Sequence, residues 1–394
     1  MNDRRGAGGR SASLALFWGG VAAVATGYGA LPGIVLLRGR LRARPVRADP
    51  AFCPQVTVVI AAHDEAASIS AKCGNLLGLD YPADSLQIVI ASDGSTDGTV
   101  DLARDALAGR ATVLDLPRCG KAGALNAAIA EATGEVVVFT DANSTLDRDA
   151  IRAIVAPFAD PEVGGVAGDQ RYAPDGTGGV SEGERTYWSL DRALKAAESA
   201  AGSVVSATGA LYAVRRALLG TVAVGVTDDF FTSTEVVKRG RRLVFGPDAV
   251  AREAVASESG AEYGRKVRVM TRGLRGVWLQ RELLDPRRHG FYSVQLLWHK
   301  VLRRLMAVPL VTIAVATPAL VRRGWLYRVA AGGQAAVYGL GALGVLAGRS
   351  GRRPPRLLAV PAYFCLVNVA SLHALFNLVT GRRIDRWTPI RAAR

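Results

Sequence analysis

The stretch Val136-Val137-Val138-Phe139-Thr140-Asp141-Ala142-Asn143-Ser144 decides how the fold of this chain is interpreted. Four apolar, mostly β-branched residues end at Thr-Asp-Ala-Asn, a pattern typical of a buried strand whose carboxyl end carries a carboxylate. Open α/β sheets bind ligands at such strand ends. Asp141 and Asn143 therefore have two interpretations. They are either oxygen ligands for a hard divalent cation beside phosphate, or a cap for the next helix.

Strands and helices alternate on both sides of this stretch. Further strands are predicted at 56–62, 86–92, 111–115, 163–169 and 242–246. Helices are predicted at 66–78, 98–108, 120–132, 147–158, 182–200, 227–239 and 258–282. This alternation predicts an α/β domain over residues 48–284, with a mostly parallel sheet and helices on both faces.

Long apolar segments flank that domain. Residues 12–37 carry no charge, and about 20 apolar residues suffice to cross a bilayer. The segment is too long for a cleaved signal peptide and is followed by an arginine cluster, so we expect a retained transmembrane helix. About three further spans are expected over 305–380, after an interfacial amphipathic helix at 285–304. The ends are predicted as a disordered arm (1–11) and a basic tail (381–394).

The charge distribution indicates a membrane protein. The net charge is +15, and arginines concentrate beside the apolar runs, as at 38–44 and 349–356. Basic flanks of this kind mark cytoplasmic loops and bind anionic headgroups, whereas nucleic-acid binding needs a basic face with groove-reading elements. The 4 cysteines and 4 histidines show no metal-ligand spacing, which argues against a zinc site. We therefore expect a multi-pass protein of the cell membrane with a cytoplasmic domain and no nucleic-acid partner.

Carboxylates follow three predicted strands of the same sheet. Asp64 and Glu65 follow the first strand, Asp93 the second, and Asp141 the stretch quoted above. A single aspartate at a strand end is usually a turn former or cap. Three such ends beside a Gly120-Lys121-Ala122-Gly123 loop suggest a nucleotide cleft. Walker and GxGxxG loops are absent from the sequence, which argues against kinases and dinucleotide enzymes.

Four motifs in order carry a family resemblance. They are Val56-Thr-Val-Val-Ile-Ala-Ala-His-Asp-Glu, Ala91-Ser-Asp-Gly-Ser-Thr-Asp-Gly-Thr, Gly120-Lys-Ala-Gly-Ala-Leu-Asn and Phe139-Thr-Asp-Ala-Asn. In order and spacing they resemble the motifs of membrane-bound family 2 glycosyltransferases with the GT-A fold. The resemblance extends from about 54 to 282.

The resemblance implies a nucleotide-sugar donor, commonly a UDP-sugar, and a Mg²⁺ or Mn²⁺ ion on its diphosphate. Asp141 and Asn143 align with the metal-binding DxD of the family, with Asn in place of the second Asp. The implied donor-binding residues are Ala62, Asp64, Glu65, Asp93, Lys121, Asp141 and Arg268. Arg268 lies where processive members carry Gln-x-x-Arg-Trp, but that Gln and Trp are absent here, which argues against a polymer-threading synthase.

Catalysis requires a base, because a sugar hydroxyl is a poor nucleophile. Thr227-Asp228-Asp229 resembles the Thr-Glu-Asp motif of the family, whose last acid is the base of an inverting displacement. Asp229 is therefore the predicted base and Asp228 the alternative. Both acids are also explained by stabilisation of a helix N-terminus.

The predicted function is transfer of a sugar to a lipid-linked or glycan acceptor in envelope or exopolysaccharide synthesis. A polyprenyl-phosphate glycosyltransferase is one alternative, since a phosphate acceptor needs less base catalysis. A non-catalytic membrane scaffold with a glycosyltransferase fold is the other, and its support is Asn143 and the missing Gln and Trp.

Overall fold

The computed structural model of the chain describes residues 3–172, 182–253, 259–349 and 355–382. The α-helices in these ranges are α1 Asp3–Ala25, α2 Leu31–Leu41, α3 Ala66–Leu77, α4 Thr99–Leu107, α5 Gly120–Ala130, α6 Ala150–Val155, α7 Glu182–Ala201, α8 Asp228–Lys238, α9 Ser259–Leu279, α10 Pro286–His289, α11 Phe291–Leu296, α12 Ala307–Leu320, α13 Trp325–Arg349 and α14 Arg356–Val379. The strands are β1 Val56–Ala62, β2 Leu86–Asp93, β3 Thr112–Leu116, β4 Val136–Phe139, β5 Thr145–Leu146, β6 Val163–Tyr172, β7 Tyr212–Arg215 and β8 Arg242–Glu253.

The chain divides into two compact units. The helical unit comprises the described residues of Met1–Gly33, Ser259–Leu274 and Leu297–Arg383, and the sheet unit comprises those of Ile34–Glu258 and Arg275–Leu296. Helix α9 contributes residues to both units.

The sheet unit is built on one eight-stranded sheet with the order β3-β2-β1-β4-β7-β6-β8-β5. The β3–β2, β2–β1, β1–β4 and β6–β8 pairs are parallel. The β4–β7, β6–β7 and β5–β8 pairs are antiparallel. The predicted α/β class with a mostly parallel sheet is confirmed, and the sheet is mixed beyond β4.

Strands β1 and β4 form the buried centre of this sheet. Every residue of both strands is buried, which explains why they consist of continuous apolar runs rather than an alternating pattern. Alternate residues of β1, including Val58 and Ile60, join the main hydrophobic core with Ile69 of α3 and Ile151 of α6. Helix α5 packs against β1 and β2.

Most residues of the apolar segments lie in the helical unit. Among the described residues, three helical segments are long and apolar enough to cross a membrane: Ser11–Leu41, Trp325–Gly348 and Arg356–Val379. The first runs through α1, the π-helical turn Thr26–Ala30 and α2, and its last residues, from Ile34, belong to the sheet unit. The three helical segments coincide with three of the segments that the sequence indicates as spans. At Gly344 an added Cβ would lie 2.5 Å from the Leu358 carbonyl oxygen, so this glycine lets α13 approach α14 closely.

Two segments differ from the sequence-based expectation. The first helix begins at Asp3, inside the arm predicted to be disordered. Residues 285–304 form α10, α11 and short π- and 3₁₀-helical segments instead of one continuous helix. Together, Phe291–Arg304 and Ala307–Arg323 are long and apolar enough to cross a membrane, and they are bent by 51° relative to each other. Of the basic tail predicted for 381–394, the part after position 382 lies outside the described residues.

Candidate active site

The carboxyl ends of β1, β2 and β4 lie side by side in the sheet. Ala62 is paired in register with Ser92, and Val59 pairs with Phe139. The segments that follow these strands therefore emerge at one edge of the sheet, which is the usual ligand-binding edge of an open α/β sheet.

Asp93 uses its carboxylate to hold the start of α5. Its side chain is fully buried, and Oδ2 accepts a hydrogen bond from Arg118 Nη1 at 2.7 Å. Oδ1 accepts from the backbone N–H groups of Cys119 (2.6 Å) and Gly120 (2.7 Å). Both oxygens are thus engaged within the protein. The geometry indicates that Asp93 positions Lys121, the second residue of α5, and a direct nucleotide contact for Asp93 stays a prediction.

Asp64 stabilises the loop after β2 in a similar way. Its Oδ1 accepts from Thr96 N at 2.9 Å, and its own N–H donates to Ser95 Oγ at 3.0 Å. Asp64 has a φ of +51°, a left-handed conformation that few non-glycine residues adopt. The chain therefore turns sharply just where the first strand reaches the edge.

Ala62 and Glu65 flank this turn. Ala62 is fully buried at the end of β1, and its predicted donor contact stays a prediction. Glu65 Oε2 accepts from Ser68 Oγ at 2.8 Å. Burial raises the pKa of the Glu65 carboxyl, and the nearby charge of Asp141 raises that pKa further.

Lys121 joins two motifs that are far apart in the sequence. Its Nζ lies 2.9 Å from Asp141 Oδ1 and 3.1 Å from Asp228 Oδ2. The three side chains are 17%, 31% and 18% exposed, so the bridge is partly accessible to solvent. Burial lowers the pKa of Lys121, but Asp141 and Asp228 outweigh that effect and leave the pKa above its ordinary value.

Helix α8 brings the candidate bases to the cleft. Thr227 is its N-cap, and Asp228 and Asp229 are its first two residues. Acidic residues at this end are favoured by the helix dipole, so their position also has a purely structural explanation. Asp228 is engaged with Lys121, and Asp229 follows it in the first turn.

Tyr212 lies beneath these acids. Its side chain is 1% exposed, and its ring stacks on Phe139 of the neighbouring strand with the centroids 4.6 Å apart. Burial raises the pKa of the Tyr212 hydroxyl well above its ordinary value, and the charges of Asp228 and Asp229 add to the effect. The phenol is therefore protonated at neutral pH.

The oxygen atoms around Asp141 fit a hard divalent cation. Asp141 is part-exposed and Asn143 is exposed on the following turn, and carboxylate and amide oxygens suit Mg²⁺ or Mn²⁺. Among the described residues, no group of three or more His, Cys, Asp or Glu side chains could hold a metal ion. A cation at Asp141 would therefore take most of its ligands from a bound diphosphate and water.

Two charged residues near Asp141 escaped the sequence-based prediction. Glu253, the last described residue of β8, accepts from Gln170 Nε2 at 2.6 Å. Burial raises the pKa of Glu253, and Asp141 raises it further. Lys72 lies on the buried side of α3, and Ile69 and Cys73 of that helix are fully buried. A lysine within an apolar helical stripe is a signal that the sequence did contain.

Arg268 lies on the part of α9 that belongs to the helical unit. Burial lowers the pKa of its guanidinium, and Arg265 lowers it further. Its predicted donor contact stays a prediction.

Comparison with known proteins identifies the family. The model of the family "Glycosyltransferase like family 2" matches residues 54–276. The poly-beta-1,6-N-acetyl-D-glucosamine synthase of Staphylococcus aureus (strain COL) is 28% identical over 222 residues, which cover 54% of this chain and 53% of that protein. The beta-monoglucosyldiacylglycerol synthase of Synechocystis sp. is 32% identical over 144 residues, covering 35% of this chain and 30% of that protein. The chain thus spans about half the length, or less, of these curated relatives.

A solved structure resembles almost the whole chain. The mannosyltransferase PcManGT from Pyrobaculum calidifontis, in complex with GDP-Man and Mn²⁺, has a TM-score of 0.72 and 27% sequence identity. The match covers 93% of this chain and 100% of that chain. With the sheet order, the ordered motifs and a family model that matches more than half of its residues, the chain belongs to glycosyltransferase family 2.

Proposed function

We propose that this chain is a membrane-bound, inverting glycosyltransferase that moves a sugar from a cytosolic nucleotide-sugar to a lipid-linked or glycan acceptor. The observation that carries the proposal is the bridge from Lys121 to Asp141 and Asp228. These residues come from three motifs, and their contacts of 2.9 and 3.1 Å connect Asp141, proposed for the donor side, with Asp228 on the helix that carries the proposed base.

The donor side of the cleft suits a nucleoside diphosphate. Lys121 supplies a charged donor for phosphate oxygens, and Asp141 with Asn143 would hold a divalent cation through oxygen ligands. When bound, Mg²⁺ or Mn²⁺ would neutralise the charge that develops on the leaving diphosphate. A UDP-sugar is the donor expected from the resemblance. The PcManGT complex contains GDP-Man, which makes a GDP-sugar the second candidate.

On the acceptor side, Asp229 is the proposed general base. A carboxylate within hydrogen-bond reach of the acceptor hydroxyl takes its proton as the oxygen attacks the anomeric carbon from the face opposite the leaving group. Asp228 is less suited to this role, because its Oδ2 is already engaged by Lys121 Nζ at 3.1 Å. Asp228 instead holds Lys121 towards the donor.

Membrane attachment is proposed from the three apolar helices and from the basic segment 38–47 beside the first of them. Under this proposal the sheet unit is cytoplasmic, where nucleotide-sugars are made. The names of the two curated relatives support a glycan or a glycolipid as acceptor.

Release of nucleoside diphosphate from UDP-glucose, UDP-N-acetylglucosamine and GDP-mannose tests the proposal. The detergent-purified protein would be assayed with Mn²⁺ or Mg²⁺, as wild type and as Asp141→Ala, Asp229→Asn and Asp228→Asn. The control is Asp84→Asn, an exposed aspartate in the segment before β2. We expect metal-dependent turnover that falls by about 10²- to 10⁴-fold in Asp229→Asn, the usual contribution of a general base.

Each result has a distinct meaning. Turnover lost in Asp141→Ala but kept in Asp229→Asn would indicate a phosphate acceptor, as in a polyprenyl-phosphate glycosyltransferase. A larger loss in Asp228→Asn than in Asp229→Asn would move the base to Asp228. If the wild type binds neither UDP nor GDP, the enzyme proposal fails and the alternative of a non-catalytic membrane scaffold is favoured.

A further inference from the structure

A buried lysine lies behind the loop that carries Asp141. Lys72 is on α3, and its exposure is 2%. Its Nζ donates to Thr140 Oγ1 at 2.9 Å and to the Ser144 carbonyl oxygen at 2.7 Å, and Ser144 Oγ is 3.4 Å away. An ammonium group has three donors, so these acceptors account for its full capacity.

The acceptors of Lys72 lie at the two ends of one short loop. Thr140 precedes Asp141, and Ser144 follows Asn143. The hydroxyl groups of Thr140 and Ser144 lie 2.9 Å apart. Lys72 therefore fastens both ends of the five-residue segment that presents the candidate metal ligands.

The same loop is fixed from its other side. Thr140 Oγ1 donates to the Ala210 carbonyl oxygen at 2.8 Å, and Ser144 Oγ donates to the Asp141 carbonyl oxygen at 2.9 Å. Thr140 and Ser144 are both almost fully buried. Within this network Lys72 is the ionisable side chain, and its charge faces Asp141 and Glu253.

Burying an amine here is unfavourable for stability. Burial lowers the pKa of Lys72 to about 7, against the opposing influence of Asp141 and Glu253. Replacing a buried charged group by an apolar side chain of similar volume is often neutral or stabilising. A residue that is costly to bury and whose hydrogen bonds to described residues all go to the loop of the donor site fits a functional role better than a structural one.

We propose that Lys72 is a positioning residue, which holds the Thr140–Ser144 loop in the shape that presents Asp141 to the cation and diphosphate of a nucleotide-sugar. This inference rests on the proposed function. It adds to that function a residue that acts through the loop and does not touch the substrate.

The test is Lys72→Met, which keeps the length of the side chain and removes the donors. Binding of UDP and of GDP in the presence of Mn²⁺ would be measured by calorimetry, together with thermal unfolding and donor kinetics. We expect Mn²⁺-dependent nucleotide affinity to fall about 10- to 100-fold, as for residues that orient metal ligands. The melting temperature should be unchanged or higher, and KM for the donor should rise more than kcat falls.

The matched control is Thr57→Val. Thr57 is a fully buried residue at the amino end of β1, where Oγ1 contacts Gln87 Oε1 at 2.6 Å and accepts from Gly134 N at 2.9 Å. Losing these contacts should lower the melting temperature and leave nucleotide affinity unchanged. The single variant Thr140→Val and the double variant Lys72→Met/Thr140→Val complete the test. The nucleotide affinity of the double variant should be no lower than that of whichever single variant binds nucleotide more weakly, because both changes act on one loop.

The outcomes separate this inference from the proposed function. Wild-type affinity in Lys72→Met overturns the inference while the proposed function stands. The inference is also overturned if Lys72→Met loses nucleotide affinity together with an equal loss of thermal stability and Thr57→Val shows the same affinity loss. If the wild type binds neither UDP nor GDP with Mn²⁺, the proposed function fails, and the role assigned to Lys72 fails with it.

Discussion

Replacing Gly209 by alanine should displace the side chain of Asp141 while leaving the Asp141 residue itself unchanged. An added Cβ would lie 2.9 Å from Asp141 Oδ2, whereas ordinary contact begins at 3.4 Å. The carboxylate must therefore retreat by about 0.5 Å, because carbon and oxygen atoms repel steeply at shorter range. Gly209 has no positive φ, so alanine adds no backbone strain. Asp141 is 31% exposed, and the side chain has room to move.

A shift of this size should affect donor use more than folding. Misplacement of a reacting group by 1 Å costs about 10²-fold, so we expect kcat/KM for the donor to fall by about tenfold. The half-saturating Mn²⁺ concentration should rise in parallel. The free energy of unfolding should change by less than about 1 kcal/mol, as for substitutions that leave the core intact.

The assay is nucleoside diphosphate release at varied donor and Mn²⁺, with thermal unfolding measured on the same samples. Gly202→Ala is the matched control, because a Cβ there would meet nothing within 4 Å. If Gly209→Ala has the kcat/KM and Mn²⁺ dependence of Gly202→Ala, the position of Asp141 is not used in donor binding. The assignment of Asp141 would then be refuted.

Two further substitutions test charges in the sheet unit. Asp93→Asn removes the charge that pairs with Arg118, and the amide nitrogen cannot accept a hydrogen bond. We expect urea denaturation to show a loss of about 2 kcal/mol, since the Asp93 carboxylate is fully buried and hydrogen-bonded, whereas solvent screens the charge of Arg118, which is 41% exposed. Glu253→Gln keeps the shape of a side chain whose pKa is raised by burial and by Asp141. A raised folded-state pKa contributes stability that is present below the ordinary value of 4.5 and is lost as pH rises through the folded-state pKa. The variant should therefore unfold at a higher temperature than wild type at pH 7, and a gap that persists at pH 4 would contradict this reasoning.

Much of the sheet could be predicted because its central strands are continuous apolar runs. Strands β1, β2 and β4 were expected within one residue of their observed ends, since a strand buried on both faces leaves a distinctive pattern. Strand β8 was predicted only over 242–246 but extends to Glu253. A shift in register opposite Gly168 and Asp169 lets this strand continue past Pro247, and sequence patterns do not reveal such a bulge.

The direction of β7 also could not be predicted from the sequence. Alternating strands and helices favour parallel pairing, yet β7 is antiparallel to both β4 and β6. This strand follows α7 and a loop that ends at Leu211, and the path of a long connection is decided by tertiary packing.

Within the candidate site, motif residues were easier to predict than their surroundings. Asp141, Lys121 and Asp228 were singled out from local patterns, and the structure brings them into direct contact. Lys72 and Tyr212 were missed because their significance depends on partners from distant segments. The apolar neighbours of Lys72 on α3 are a local signal of burial, but its role, like that of Tyr212, depends on the loop and the acids beside it.

The topology of the sheet also has a consequence for how the cleft assembles in time. Strands β1, β2 and β3 pair residues 23 to 30 positions apart, whereas the β1–β4 pairing joins residues 80 positions apart and the contact of Asp147 with Arg252 joins residues 105 positions apart. Closing long loops costs entropy before any contact compensates it, so distant pairings slow folding. During synthesis, the half that carries Asp141 leaves the ribosome before the half that carries Asp229. We therefore expect the cleft to be completed in a late folding step, when β7 and β8 join a sheet whose first half has already formed.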